Sequence, residues 1–235
     1  MSREVQQMFS RIAGRYDLAN DVLSMGIHRL WRKQAVKLSG VRAGARVLDL
    51  CTGTGDQSFI LAKHVGSEGV VIGLDFVMPM LSIASHKQRT SADLVANGAS
   101  ISFVHGDAMR LPFDNSVFDV VTISFGIRNV DSAVGCLMEI NRVLKPGGRL
   151  MVLEFGRPQV GWFNWIYSLY GKWLMPRLGG FVTKDRAAYE YLPKTAAVFP
   201  DGFDFLELMR LANFKCLQFR AFLTGVAFAY TGDRV

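Results

Sequence analysis

One stretch limits what this chain can fold into more than any other, a buried strand that runs into a glycine turn. It reads Arg46-Val-Leu-Asp-Leu-Cys-Thr-Gly-Thr-Gly-Asp56, and helical spacing begins directly after it. In open α/β sheets, ligands bind beyond the carboxyl ends of the strands, and glycine lets a ligand approach the backbone closely. The stretch therefore predicts a strand, a ligand-binding loop and a helix, although a plain strand–helix turn also accounts for two glycines.

The alternation of strand and helix continues through the middle of the chain. Five β-branched runs predict strands, at 46–51, 70–75, 101–107, 118–125 and 149–155. Three candidate helices fall between them, at 57–65, 79–89 and 130–144. Such alternation predicts right-handed crossovers and a parallel sheet with helices on both faces.

The two ends of the chain follow other patterns. Residues 3–38 have helical periodicity with breaks near Gly14 and Gly26, and residues 160–195 read as helical and aromatic-rich. The chain closes with a candidate helix at 203–211. Two further runs follow, separated by Gly225 as in an antiparallel hairpin, at 214–222 and 226–231.

These patterns predict a single domain of the α/β class. We expect a Rossmann-like, doubly wound sheet that ends in an antiparallel hairpin and carries a helical cap. The expected parts are an N-terminal helical cap (1–40), a cofactor-binding core (41–156), an aromatic helical insertion (157–200) and a C-terminal helix with a hairpin (201–235).

Composition narrows the class of protein. Half of the 235 residues are hydrophobic and 20% are charged, which supports a sizeable core. The net charge of +7 favours acidic partners such as nucleic acid, anionic lipid or a charged small molecule. Nucleic acid is disfavoured, because no RNA-recognition or KH pattern is present. Sparse cysteines, an N-terminus without an apolar signal core and the lack of a long apolar run predict a cytoplasmic protein without a membrane span.

The residues around the glycine loop indicate which cofactor it holds. Gly53 and Gly55 begin the pattern of a dinucleotide-binding loop, but Ser58 stands where the third glycine belongs. Asp49, inside the strand, repels phosphate and can hold an ammonium group, directly or through water. An amino-acid-bearing cofactor is therefore favoured over a pyrophosphate, and a nicotinamide-dependent oxidoreductase is the alternative from another class.

Two later strand ends add acceptors in the order that an adenosyl group requires. Asp75 ends the second strand, 20 residues after Gly55, where a carboxylate can accept hydrogen bonds from both ribose hydroxyls. A strand-end aspartate is otherwise often a helix N-cap. Asp107 ends the third strand and can accept from an adenine amino group, while the Ala108 N–H can meet a ring nitrogen.

The series resembles the class I S-adenosylmethionine-dependent methyltransferases over residues 46–155. Two more stretches resemble one family, the ubiquinone/menaquinone biosynthesis C-methyltransferases. One is Tyr16-Asp-Leu-Ala-Asn20 with Ser24, His28 and Trp31, in which Ala19 replaces an expected Met. The other is Arg142-Val-Leu-Lys-Pro-Gly-Gly-Arg-Leu-Met-Val-Leu-Glu154, after which Gly156 replaces a usual Ser. Ile123-Ser-Phe-Gly-Ile-Arg-Asn129 is also similar to this family.

The resemblance implies a cofactor, a substrate and a set of contacts. The cofactor is S-adenosyl-L-methionine, and the substrate is a polyprenylated quinol, with demethylmenaquinol expected. A 2-polyprenyl-6-methoxy-1,4-benzoquinol is the alternative ring, and another lipid such as a sterol is a third substrate class. The implied cofactor contacts are Thr54, Asp75, Asp107, Ala108 and Ser124.

Carbon methylation suggests two catalytic candidates. A ring carbon becomes nucleophilic beside a phenolate, and a nearby positive charge lowers the pKa of the quinol hydroxyl. Arg128, just past the fourth strand, is the candidate for that charge, although it can also cap a loop. His28, which with Tyr16 lies in a segment that can cover the site, is a candidate base or a packing histidine. No metal is expected, because the sulfonium carries its own charge.

The segment 157–184 suggests contact with a membrane. It holds Trp162, Trp165 and Trp173, and its charged side chains are all cationic. Aromatics interleaved with cations are typical of an interfacial segment, so we expect the protein to sit peripherally on the inner membrane face. Inward packing of the same rings in a cap helix is the alternative.

Overall fold

A computed structural model describes residues 3–91, 98–158 and 185–235, together with scattered positions between 160 and 183. Within these residues, seven strands form one sheet in the order β3-β2-β1-β4-β5-β7-β6. Strands β1 to β5 are parallel, and β7 runs antiparallel between β5 and β6. The strands are β1 Arg46–Leu50, β2 Val70–Asp75, β3 Ser100–His105, β4 Phe118–Ser124, β5 Leu144–Phe155, β6 Phe214–Phe222 and β7 Ala227–Arg234.

Helices cover both faces of this sheet, as the alternation predicted. The α-helices that lie wholly within the described residues are α1 Arg3–Ile12, α2 Tyr16–Ser24, α3 Ile27–Leu38, α4 Asp56–Val65, α5 Met78–Thr90, α6 Ala133–Val143, α7 Arg186–Val198 and α8 Phe203–Leu211. Leu48 and Leu50 pack with α6 and α8 on one face, whereas Val47 packs with α3 and α4 on the other. Successive strand residues face opposite sides, so Asp49 shares the face of Val47.

The doubly wound sheet and its terminal antiparallel hairpin are confirmed, and the differences lie at element ends. Helix α6 begins at Ala133 rather than at 130, because the Ser132 hydroxyl caps it by accepting from the Gly135 N–H (3.1 Å). Strand β7 continues beyond 231, where Asp233 pairs with Arg149 of β5 (2.6 Å). Because the end of β7 is polar, it lacks the alternation of hydrophobic residues from which strands are predicted.

The helical cap lies over the carboxyl ends of the strands. Its predicted breaks occur as a 3-10 turn at Ala13–Arg15 and a left-handed turn at Met25 and Gly26. Gln6 donates to the Phe76 carbonyl after β2 (3.0 Å), and Asp17 accepts from the Thr54 hydroxyl of the glycine loop (2.6 Å). The cap is therefore hydrogen-bonded to the loops that follow β1 and β2.

The aromatic insertion is described only in part. Trp162, Lys172 and Lys184 lie outside the described residues. Of the helical stretch predicted at 160–195, the structure describes only α7 without gaps. Trp165 and Trp173 are exposed, at 69% and 58% of their surface. Among the described residues, no helix is both long and apolar enough to cross a bilayer.

Candidate active site

A cleft opens at the carboxyl ends of β1, β2, β3 and β4, beneath the helical cap. It holds about 750 Å³ of space, which includes solvent at its open mouth. The sheet order places β1 and β4 side by side although β2 and β3 lie between them in sequence, so the chain reverses its winding there. Ligands in open α/β sheets bind at such a switch point.

The glycine loop forms one wall of the cleft. Gly53 and Gly55 both adopt left-handed backbone angles, with φ of 57° and 86°. A Cβ on Gly55 would stand 2.9 Å from the Phe59 ring, so this position requires glycine both for its backbone and for packing. Gly53 lines the cleft directly, while Gly55 lies behind it and shapes the loop.

Asp75 is fixed in place by two backbone donors. Its oxygens accept from the N–H groups of Gly53 and Val77, each at 2.8 Å. The residue is 7% exposed and lines the cleft, and its burial raises the pKa of the carboxyl. Val77, not Asp75, is the N-cap residue of α5, so the carboxylate is an oriented acceptor on the cleft wall.

Asp49 lies buried behind the glycine loop. It is 1% exposed and accepts hydrogen bonds from the hydroxyls of Thr52 (2.9 Å), Ser58 (2.7 Å) and Thr122 (2.7 Å). It does not line the cleft, and burial raises the pKa of its carboxyl despite the three donors. Asp49 thus joins β1, β4 and α4 behind the loop, and its contact with an ammonium group, directly or through water, stays a prediction.

The ends of β3 and β4 complete the wall. Asp107, Ala108 and Ser124 all line the cleft, as does Thr54 of the loop. Asp107 accepts from the Met109 N–H (2.9 Å). The Ser124 hydroxyl is buried and has no hydrogen-bond partner among the described residues, which is costly unless a ligand supplies one. This unpaired hydroxyl and the oriented carboxylates fit the polar groups of an adenosyl amino acid.

The structure does not bring Arg128 to the cleft. Its side chain is 2% exposed and pairs with Glu154, which is 1% exposed. It also donates to the Phe125 carbonyl (2.8 Å), and its guanidinium lies 5.3 Å from the centre of the Phe155 ring. The predicted charge beside a quinol oxygen is therefore neutralised by a buried carboxylate that the sequence spacing did not reveal.

His28 is also held away from the cleft. It is 5% exposed, and its Nδ1 lies 2.7 Å from the Ser24 hydroxyl. Burial and the charge of Arg32 lower the pKa of the imidazole. The geometry supports the packing alternative, because the ring is enclosed between α2 and α3 and does not line the cleft.

Three cap residues do line the cleft, and sequence reasoning missed two of them, Phe9 and Arg32. Phe9 and Tyr16 meet edge to face, with ring centres 6.2 Å apart, and Arg32 of α3 joins them. A signal for Arg32 was present in the sequence. The buried stripe of α3 follows helical spacing and contains two polar members: His28, Trp31, Arg32, Ala35 and Val36.

Comparison with known proteins gives a family and close relatives. The model of the ubiE/COQ5 methyltransferase family matches residues 1–234. A Bdellovibrio bacteriovorus protein named ubiquinone/menaquinone biosynthesis C-methyltransferase UbiE is 43% identical over 229 residues, 97% of this chain and 94% of the relative. A demethylmenaquinone methyltransferase of Staphylococcus carnosus is 41% identical over 229 residues, 97% of this chain and 92% of the relative.

Solved structures share the fold at low identity. A SAM-dependent methyltransferase of Thermotoga maritima superposes with a TM-score of 0.66 at 21% identity, covering 97% of this chain and 99% of that one. The [4+2]-cyclase SpnF reaches 0.71 at 16% identity, covering 100% and 96%. The cyclase illustrates that this fold alone does not determine a reaction.

Proposed function

This chain belongs to the ubiE/COQ5 methyltransferase family, and we propose that it methylates a ring carbon of demethylmenaquinol with S-adenosylmethionine as the methyl donor. The observation that carries the choice of ring is the 41% identity, over 97% of the chain, to a relative named demethylmenaquinone methyltransferase. The cleft at the sheet's switch point supports the cofactor, because polar groups line it at the ends of four successive parallel strands.

The cleft residues have distinct proposed tasks. When bound, S-adenosylmethionine supplies an electrophilic methyl group on a positively charged sulfur. Asp75 accepts from the ribose hydroxyls, and Asp107 with the Ala108 N–H binds the adenine edge. Ser124 and Thr54 offer hydroxyls beside them. Phe9, Tyr16 and Phe125 line the same cleft and exclude water from the reacting carbon.

A benzoquinol ring is the second candidate, because the Bdellovibrio relative's name includes ubiquinone biosynthesis. Purified protein, labelled S-adenosylmethionine and each reduced quinone analogue would test both. We expect label in the naphthoquinol and less in the benzoquinol. Label confined to the benzoquinol would reverse the assignment, and label in neither would contradict quinol methylation.

Methyl transfer is expected to be independent of divalent metal. The sulfonium carries the positive charge that a Lewis acid would otherwise supply, and no group of three or more His, Cys, Asp or Glu side chains among the described residues could hold an ion. Activity should therefore be unchanged in a strong chelator. A loss in chelator that Mg²⁺ or Zn²⁺ restores would overturn this mechanism.

Peripheral contact with an anionic membrane is also proposed, through 157–184. Trp165, Leu169 and Trp173 are exposed at helical spacing, and the Arg177 guanidinium lies 5.0 Å from the centre of the Trp173 ring. Exposed aromatics beside cations suit the boundary between headgroups and acyl chains. Such a surface would bring the protein to the membrane, where a polyprenylated substrate resides.

Replacing both described tryptophans tests this surface. We expect Trp165→Ser/Trp173→Ser to weaken binding to anionic vesicles by roughly tenfold or more, since each ring buries apolar surface in lipid. The Michaelis constant for long-tailed quinol should rise, while tail-less activity and the melting temperature should stay nearly unchanged. Phe203→Ser/Leu211→Ser, which removes two exposed apolar side chains of α8, is the matched control. A collapse in stability of the tryptophan variant would instead indicate inward packing.

A further inference from the structure

Arg32 is a buried cation on the wall of the cleft. The residue is 8% exposed, and its guanidinium carbon lies 5.2 Å from the centre of the Phe125 ring. Its Nε is shielded from solvent without a hydrogen-bond partner, and none of the described residues forms a hydrogen bond or an ion pair with the guanidinium. A buried charge without a partner is unfavourable, so this position calls for an anion.

The carboxylates around Arg32 already have donors of their own. The ion pairs are Asp56 with Lys87 (2.8 Å), Asp17 with Lys87 (2.7 Å) and Glu154 with Arg128. Asp49 is held by three hydroxyls. Within the described part of the chain, no carboxylate forms an ion pair with Arg32. Asp17 and Asp56 share Lys87, so Asp56 compensates part of the charge of Arg32 at longer range, but the N–H groups of the guanidinium are left for a ligand in the cleft.

Arg32 lies at the end of the cleft that the glycine loop and Phe125 form, and its charge affects the aspartates there. Burial raises the pKa of Asp56, but the charges of Arg32 and Lys87 outweigh it and hold that pKa below its usual value. Burial raises the pKa of Asp49, and Arg32 is among the groups that oppose this rise. Asp49 and Asp56 flank the glycine loop on either side. Together with its contact with Phe125, which directly follows β4, this puts Arg32 on the side of the cleft that the glycine loop and the end of β4 form.

That end is where the amino-acid part of the cofactor must extend. If the adenine lies at Asp107 and Ala108 after β3, and the ribose at Asp75 after β2, the sulfonium and the amino acid continue toward β1 and β4. The amino acid carries one carboxylate. The guanidinium lies against the Phe125 ring, and neither terminal Nη group forms a hydrogen bond with a described residue, so these N–H groups remain available for a planar anion.

We propose that Arg32 binds the α-carboxylate of S-adenosylmethionine. This inference rests on the proposed cofactor site and adds to it the group that recognises the amino-acid end. A guanidinium and a carboxylate match in shape and can form two parallel hydrogen bonds. A carboxylate bound there would pair with the guanidinium, so binding and stability are coupled.

A pair of ligands that differ by one carboxylate tests the proposal. Calorimetry on the unmodified protein should give S-adenosylmethionine a dissociation constant at least roughly tenfold below that of decarboxylated S-adenosylmethionine. Arg32→Gln should weaken S-adenosylmethionine binding by roughly 10- to 100-fold and change the decarboxylated ligand less than about threefold. The affinity of Arg32→Lys for S-adenosylmethionine should lie between that of the unmodified protein and that of Arg32→Gln. Arg29→Gln removes an exposed charge from the same helix and should alter neither affinity.

Thermal melts provide a second readout that does not need activity. Arg32→Gln should keep or slightly raise the melting temperature of the ligand-free protein, because it removes a buried charge and breaks no hydrogen bond or ion pair with a described residue, but should lose most of the shift that S-adenosylmethionine induces. If Arg32→Gln lost the same amount of affinity for S-adenosylmethionine and for its decarboxylated form, the proposal would be overturned. An unchanged S-adenosylmethionine affinity with a raised Michaelis constant for quinol would also overturn it and would assign Arg32 to the quinol oxygen. Failure of quinol methylation alone would leave the carboxylate dependence standing.

Discussion

Asp75→Ala is expected to lose about 2–3 kcal/mol of S-adenosylmethionine affinity, which corresponds to roughly a 30- to 140-fold higher dissociation constant. The ribose hydroxyls would lose a charged acceptor that the protein has already oriented. Gly53 and Val77 hold both carboxylate oxygens at 2.8 Å, so little ordering remains to be done on binding. Calorimetry on the purified variant measures the change.

Two comparisons separate binding from folding in this variant. Asp107→Ala should weaken binding less, because it removes one adenine contact and not a shared acceptor for two hydroxyls. A thermal melt of ligand-free Asp75→Ala is needed as well, since the Gly53 N–H would lose its partner. If the variant is folded and binds with unchanged affinity, Asp75 does not contact the ribose.

The strand ends could be predicted because their signals are local. Asp75 and Asp107 each follow a β-branched run, and parallel strands bring their carboxyl ends to one edge, so sequence order translates into position. The glycine loop is equally local: its strand, turn and helix lie within consecutive residues. For these elements, knowing the fold class was enough to place the residues on the cleft.

The environment of a buried charge depended instead on distant residues. Asp49 faces Thr122, 73 residues away, because β4 pairs with β1 across the switch point. Arg128 finds Glu154 on β5, 26 residues away. Neither partner can be read from spacing, and each changes the role that the residue can have. In the structure, Asp49 accepts from three hydroxyls, and Arg128 is half of a buried ion pair.

Breaking the Arg128–Glu154 pair is expected to destabilise the protein by about 3–5 kcal/mol, because either single truncation leaves a charge buried without its partner. Urea unfolding of Glu154→Ala and of Arg128→Ala measures this loss. The exposed pair of Arg210 and Glu207 supplies the control, since Glu207→Ala should cost at most about 1 kcal/mol. If Glu154→Ala lost equally little stability, the Arg128–Glu154 pair would be exposed to water in solution.

Removing both charges then distinguishes a structural role from a catalytic one. Arg128→Met/Glu154→Leu should recover much of the lost stability, because apolar side chains replace a desolvated pair. The Phe155 ring beneath Arg128 stacks on Phe125, with centres 4.4 Å apart, so the pair also positions a wall of the cleft. If methyl transfer returns together with stability, the pair acts through that wall. If the stable double variant binds S-adenosylmethionine normally but does not methylate the quinol, the reaction needs the charge of Arg128, as the sequence predicted.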